Sequence, residues 1–197
     1  MKYRLFFIAL LFFVVRYPYP ALAEETVRNC YPITAKDLTR QNAPRFDQYV
    51  TTAERIKKPK VDLKSHPNAR TYRTVLREGV ANGPNFAGHY AVVGWGCGTS
   101  CLQFAIVDVR SGKVIFPDDF NGVSGVKFET DDFETTGVGP FWGLRYRIDS
   151  RLLVVVGMLN ESENREGAFY YLVEKGKLKR IFTVIVKKDA CDDRMND

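Results

Sequence analysis

The residues whose types and spacing could do chemistry lie in one stretch, residues 85–109, NFAGHYAVVGWGCGTSCLQFAIVDV. A cysteine thiolate with a histidine base could hydrolyse an acyl bond, with Cys97 or Cys101 as nucleophile and His89 as base. Such a thiol must stay reduced, and the C-x3-C spacing differs from the C-x2-C redox motif. We therefore predict no catalytic residue here and keep a Cys/His hydrolase as the alternative.

The four cysteines favour disulfides, because the chain begins with an export signal and disulfides persist in oxidising compartments. Cys97 and Cys101 are close in sequence, and the glycines at 96 and 98 permit a sharp turn between them. We predict the pairs Cys97–Cys101 and Cys30–Cys191, the second of which would join the start and the end of the exported domain.

The export signal is predicted at residues 1–23. A basic start with Lys2 and Arg4 precedes an apolar run over residues 5–15, and Ala21-Leu22-Ala23 is a small-residue cleavage site. Cleavage leaves one domain, residues 24–197, with no transmembrane anchor, in the periplasm or secreted. It also removes Lys2, Arg4 and Arg16, so the formal charge falls from +6 to +3, and nucleic acid is not an expected partner.

The expected function is non-catalytic binding of a protein or glycan partner at the cell envelope. The predicted binding residues are those of the glycine-rich loop and its flanking tryptophan: Trp95, Gly96, Gly98, Thr99 and Ser100. A wider aromatic groove for a glycan or peptide is the alternative, whereas most aromatic side chains of a β domain this size belong to its core. The candidates for it are Trp95, Phe141, Trp142, Tyr146, Tyr170 and Tyr171.

No metal or other cofactor is predicted. Two histidines with oxidised cysteines make a poor zinc set, and His89 is more typical of a packed residue than of a ligand. A loop over residues 118–134 carries six acids, which suit calcium or a paired-carboxylate glycosidase in type but lack the calcium-loop pattern. We expect a solvated loop, with cation binding left open; its acids are Asp118, Asp119, Glu129, Asp131, Asp132 and Glu134.

A basic run contrasts with this acidic loop. Residues 54–79 hold eight Lys or Arg against three acids, a net charge of +5. The run is either an interaction surface or a face that pairs with the acidic loop, and sequence alone does not separate the two.

The chain is predicted to be mainly β (α+β), an antiparallel meander sheet or small barrel with an N-terminal amphipathic helix packed on it. Apolar residues at helical spacing predict that helix over residues 44–57. Residues 71–78 alternate loosely, as in a strand. About eight strand-like segments follow, joined mainly by tight turns, and consecutive strands joined in this way pair antiparallel.

Residues 85–113 resemble a family of uncharacterised exported bacterial proteins. The resemblance rests on NFAGHY at residues 85–90, WGCG at residues 95–98, the second cysteine Cys101 and the pair Gly112-Lys113. It implies an exported location and a β fold. No established activity comes with it, so it assigns no catalytic residue.

Overall fold

The structure is a computed structural model, and it describes residues 23–27, 42–124 and 143–186. Within these ranges there is one α-helix, α1 (Arg73–Val80). Short 3₁₀ turns lie at Phe46–Gln48, Pro67–Ala69 and Glu163–Arg165. The strands are β1 (Ala23–Val27), β2 (Tyr90–Gly98), β3 (Cys101–Asp108), β4 (Val114–Ile115), β5 (Val123–Ser124), β6 (Leu144–Tyr146), β7 (Leu152–Leu159), β8 (Glu166–Glu174) and β9 (Lys177–Val186).

These strands form one open sheet in the order β1-β9-β8-β7-β5-β3-β2, with β4 beside β3 and β6 beside β7. Strands β2 to β9 pair antiparallel, and only β1 pairs parallel, with β9. The predicted mainly β, antiparallel fold is confirmed. The order has two ends within the described residues, so the sheet is a meander and not a closed barrel.

Both halves of the sheet share one core on one face. Successive side chains of a strand point to opposite faces of the sheet. Val92 and Ile106 of the β2–β3 hairpin therefore pack in the same buried cluster as Leu153 of β7 and Tyr171 of β8. On the opposite face each half has its own cover. Residues 43–49 cover β7 to β9, and α1 with residues 56–72 covers β2 and β3. The central strands are therefore apolar on both faces, as β7 shows.

Helix α1 lies very close to β2. Its Leu76 and Val80 are buried against Ala91 and Val93. A Cβ at Gly79 would come within 2.4 Å of a methyl group of Val93. The approach of the two elements therefore requires glycine at this position.

The predicted helix over residues 44–57 is wrong. After the turn at Phe46–Gln48 the chain is extended, and its backbone N–H groups bond outward: Thr51 to Asp149, Glu54 to Gly88 and Lys60 to Val109. Val50, on the predicted apolar face, is 68% exposed. Val50-Thr51-Thr52 is a β-branched run of low helix propensity, and partners at the end of the sheet satisfy its backbone instead.

The strand expected over residues 71–78 is also wrong, because this segment from Arg73 onward belongs to α1. Tyr72, Val75, Leu76 and Val80 recur at a spacing of three to four residues. That is helical periodicity. The fold class survives both errors, since the covering helix lies about 25 residues later than predicted.

The edge of the hairpin is closed by the motif NFAGHY. The side-chain amide of Asn85 accepts from the N–H of Val92 at 2.8 Å and donates to its carbonyl at 3.2 Å. Ala87 and Gly88 turn the chain with φ of 45° and 81°. Asn85 thus bonds both backbone groups of Val92 on the edge strand β2, which would otherwise be free to pair with another strand.

Several expectations fall outside the described residues. These are the signal peptide up to residue 22, the pair Cys30–Cys191, a strand near residues 126–128, and Phe141 and Trp142. No helix in the described part of the chain has the length and apolar character needed to cross a membrane.

Gly167→Ala should destabilise the protein strongly, because a Cβ there would lie 1.9 Å from the carbonyl oxygen of Val184 on β9. We expect a loss of at least about 2 kcal/mol in the free energy of unfolding, measured by urea denaturation. Gly96→Ala is the matched control, since a Cβ at Gly96 meets nothing within 4 Å. Equal stability of the two variants would contradict the β8–β9 register.

Candidate functional site: an aromatic cavity beside the disulfide hairpin

A cavity of about 440 Å³ lies between the β2–β3 hairpin, the turn at residues 66–69 and the loop that follows β4. This volume is within the range of small-molecule sites. Its lining combines aromatic rings with amide, imidazole and carboxylate groups: His66, Asn68, Tyr72, Trp95, Gln103, Phe104, Phe116, Pro117, Asp118, Phe120 and Asn121.

The hairpin places two of these residues opposite one another. Trp95 on β2 is the cross-strand partner of Gln103 on β3. The turn between the strands has Gly98 at φ 142° and Ser100 at φ 54°, and the Cys97–Cys101 disulfide closes it. This confirms one predicted disulfide. Its structural role is to hold the end of the hairpin beside the cavity.

Gln103 organises the aromatic wall. Its Oε1 accepts from the Tyr72 hydroxyl and from Trp95 Nε1, each at 3.0 Å. The Tyr72 and Trp95 rings stack with centroids 4.3 Å apart. Because the oxygen takes both bonds, the orientation of the amide is settled, and its NH₂ group retains two donors for another partner.

The turn at residues 66–69 forms a second wall. His66 Nδ1 accepts from the backbone N–H of Asn68 at 3.2 Å, which leaves Nε2 to carry the proton of the neutral ring. The imidazole stacks on Phe116, with centroids 4.5 Å apart. His66 therefore offers a fixed N–H donor beside an aromatic face.

Asp119 anchors the third wall, the loop of residues 117–122. Arg165 donates from both terminal nitrogens to the Asp119 carbonyl at 3.1 Å. The Asp119 carboxylate accepts from the Tyr171 hydroxyl at 3.0 Å and lies 3.5 Å from Arg180. These contacts tie the loop to β8 and β9.

Asn121 and Gly122 fasten the other end of this loop. The Asn121 N–H donates to Asn160 Oδ1 at 2.8 Å, and the Gly122 carbonyl accepts from the Asn160 N–H at 2.9 Å. A Cβ at Gly122 would lie 3.5 Å from Cys101 Sγ. The loop and the disulfide hairpin therefore support each other.

The structure places only one of the five predicted binding residues in this lining. Trp95 is part of it, whereas Gly96, Gly98, Thr99 and Ser100 are exposed at the tip of the hairpin and are not part of the cavity. Of the other aromatic candidates, Tyr146, Tyr170 and Tyr171 are buried in the core. The lining residues that were not predicted for binding come from residues 66–72, from β3 and from residues 116–121. Two of them had a sequence signal: Gln103 by its cross-strand position opposite Trp95, and Asp118 as one of the six acids of the predicted acidic loop.

The alternative Cys/His pair is not assembled. Cys97 and Cys101 are bonded to each other, and His89 lies at the opposite end of β2. Eight residues of extended chain correspond to about 26 Å. His89 instead lies 3.4 Å from Glu54 and 3.9 Å from Asp108, where it helps to hold the extended segment against the sheet.

The described part of the acidic loop shows no cation site. Asp119 is committed to arginines, and among residues 42–124 and 143–186 no group of three His, Cys, Asp or Glu side chains could hold a metal ion. Glu129, Asp131, Asp132 and Glu134 lie outside the described residues.

No protein-family model, curated protein or solved structure matches this chain.

Tyr171 and Tyr146 provide a test of the anchored wall. Burial raises the pKa of both phenols, that of Tyr146 to about 12, and the Asp119 charge raises that of Tyr171 further. The Tyr171 hydroxyl bonds Asp119, whereas the buried Tyr146 hydroxyl has no hydrogen-bond partner among the described residues. At pH 7 we expect Tyr171→Phe to lower the free energy of unfolding by about 1–3 kcal/mol and Tyr146→Phe not to lower it.

The same pair gives a pH dependence. In the unfolded chain both phenols ionise near pH 10, below their folded pKa values, so their stabilisation is complete below pH 10 and is lost as pH rises above it. Each Phe variant should therefore lose stability less steeply than the wild type between pH 9.5 and 11, measured by urea denaturation. Equal effects of both substitutions at pH 7 would contradict the Asp119 anchor.

Proposed function

We propose that this protein is a non-catalytic, exported carbohydrate-binding domain whose site is the cavity around Trp95 and Tyr72. The observation that carries the proposal is an aromatic wall next to converging polar groups. Sugar rings have apolar C–H faces that pack on aromatic rings and hydroxyl rims that need donors and acceptors.

The polar groups of the cavity suit hydroxyl recognition. Gln103 and His66 present N–H donors whose orientation is set by the bonds they already make. Asn68 and Asn121 add amides, and Asp118 adds a carboxylate acceptor. Groups held in place before the ligand arrives lose less entropy on binding, which favours affinity.

This polar density favours a glycan over a protein partner. Protein interfaces concentrate aromatic anchors in a dry centre with polar groups at the rim. Here the amides, imidazole and carboxylate line the cavity together with the rings. The exported location rests on the signal-peptide pattern and is supported by the Cys97–Cys101 disulfide.

Trp95→Ala should weaken glycan binding at least tenfold, about 1.4 kcal/mol, because it removes the aromatic surface and the partner of Gln103. The purified protein is first screened on an array of neutral and acidic oligosaccharides, and the tightest ligands are titrated by calorimetry. Thr99→Ala is the matched control at the hairpin tip, four residues along the chain from the lining residues Trp95 and Gln103.

Gln103→Glu tests the same site without removing a ring. The glutamate still accepts from Tyr72 and Trp95 but has no N–H to offer a ligand. We expect weaker binding with an unchanged melting temperature. Binding by no oligosaccharide on the array, or equal loss in Thr99→Ala and Trp95→Ala, would overturn the proposal.

A further inference from the structure

We infer that the glycan recognised by this cavity is anionic, and that Lys64, Arg70 and Arg73 bind its negative charges. The inference rests on the proposed function and specifies its ligand class. The shared chemistry of that class is a sugar bearing carboxylate, phosphate or sulfate groups.

The three cations lie next to cavity-lining residues along the chain. Lys64 is two residues from His66, Arg70 is two residues from Asn68 and Tyr72, and Arg73 follows Tyr72 directly. All three are exposed. Arg73 Nη1 lies 3.5 Å from the Arg70 carbonyl, which holds its guanidinium over the start of α1, beside the turn that carries Asn68.

These cations are not neutralised within the described part of the chain. No carboxylate lies within 4 Å of a side-chain nitrogen of any of the three there, and Asp62 accepts only from the backbone N–H of Lys64, at 2.9 Å. Of the other described acids, Glu54 is paired with Arg110 and His89 at the opposite end of β2, and Asp119 is paired with Arg165 and Arg180. Glu54 and Asp119 therefore form ion pairs with other cations and do not neutralise Lys64, Arg70 or Arg73.

Positive charge on Lys64, Arg70 and Arg73, together called the cationic rim, selects an acidic ligand over a neutral one of the same shape. Arginine and lysine form charge-assisted hydrogen bonds with carboxylate and phosphate oxygens, and these are stronger than neutral ones. The lining contains a single carboxylate, Asp118, whereas three cations lie next to lining residues along the chain. Exposed charges are screened by salt, so the preference should weaken as ionic strength rises.

The test compares Arg70→Glu/Arg73→Glu with the wild type on neutral, carboxylated, phosphorylated and sulfated oligosaccharides at 50 and 300 mM NaCl. We expect the tightest wild-type ligands to be acidic and to bind more weakly at 300 mM. The double variant should lose at least tenfold in affinity for them. Lys175→Glu/Lys177→Glu, the same change of charge in the exposed β8–β9 turn, is the control and should change affinity less than twofold.

The outcomes separate this inference from the proposed function. A preference for neutral glycans that Trp95→Ala removes and Arg70→Glu/Arg73→Glu leaves intact would overturn the inference alone. Binding of no glycan by the wild type would overturn both. Among acidic probes, the type bound most tightly identifies the anionic group. An equal loss in the control double variant would show a general effect of net charge and would also overturn the assignment to Arg70 and Arg73.

Discussion

Burial of the β2–β3 hairpin on both faces is the constraint on which the other features depend. One face joins the core shared with β7 and β8, and the other needs a separate cover of its own. Helix α1 and the residues before it supply that cover, with Gly79 allowing the close approach to Val93. The cavity forms where this cover ends, because Tyr72 reaches the strand at Trp95 and Gln103.

The opposite wall of the cavity depends on contacts from the other half of the sheet. Asp119 is held by Tyr171 and Arg180 on β8 and β9 and by Arg165, and Asn121 is held by Asn160. The disulfide packs beside Gly122 between the two walls. The site is therefore a product of the assembled sheet, and its polar groups are oriented by the bonds that stabilise the fold.

The same arrangement explains how charge is distributed around the site. Asp119 is held by Arg165 and Arg180, whereas Lys64, Arg70 and Arg73 are exposed and form no ion pair with a described carboxylate. The aromatic rings of the cavity offer apolar contact that has no directional preference, and the cationic rim adds long-range attraction for anions. The two contributions respond differently to salt and to mutation, so they can be measured separately.

The sequence by itself determined the local features: strands joined mainly by tight turns, the antiparallel pairing of consecutive strands and the Cys97–Cys101 disulfide. Each depends on a pattern within about ten residues: alternating apolar and polar side chains, a glycine in a turn, or the spacing of two cysteines. Only the tertiary structure decided that residues 49–62 are extended and that residues 73–80 are helical. The first segment is extended because its backbone N–H groups bond to carbonyl groups at the end of the sheet. The second was expected to be a strand, although its apolar residues recur at helical spacing. It also decided the site, because Tyr72 meets Gln103 across 31 residues and Asp119 meets Tyr171 across 52. Such contacts arise from the packing of the whole sheet, which local patterns do not encode.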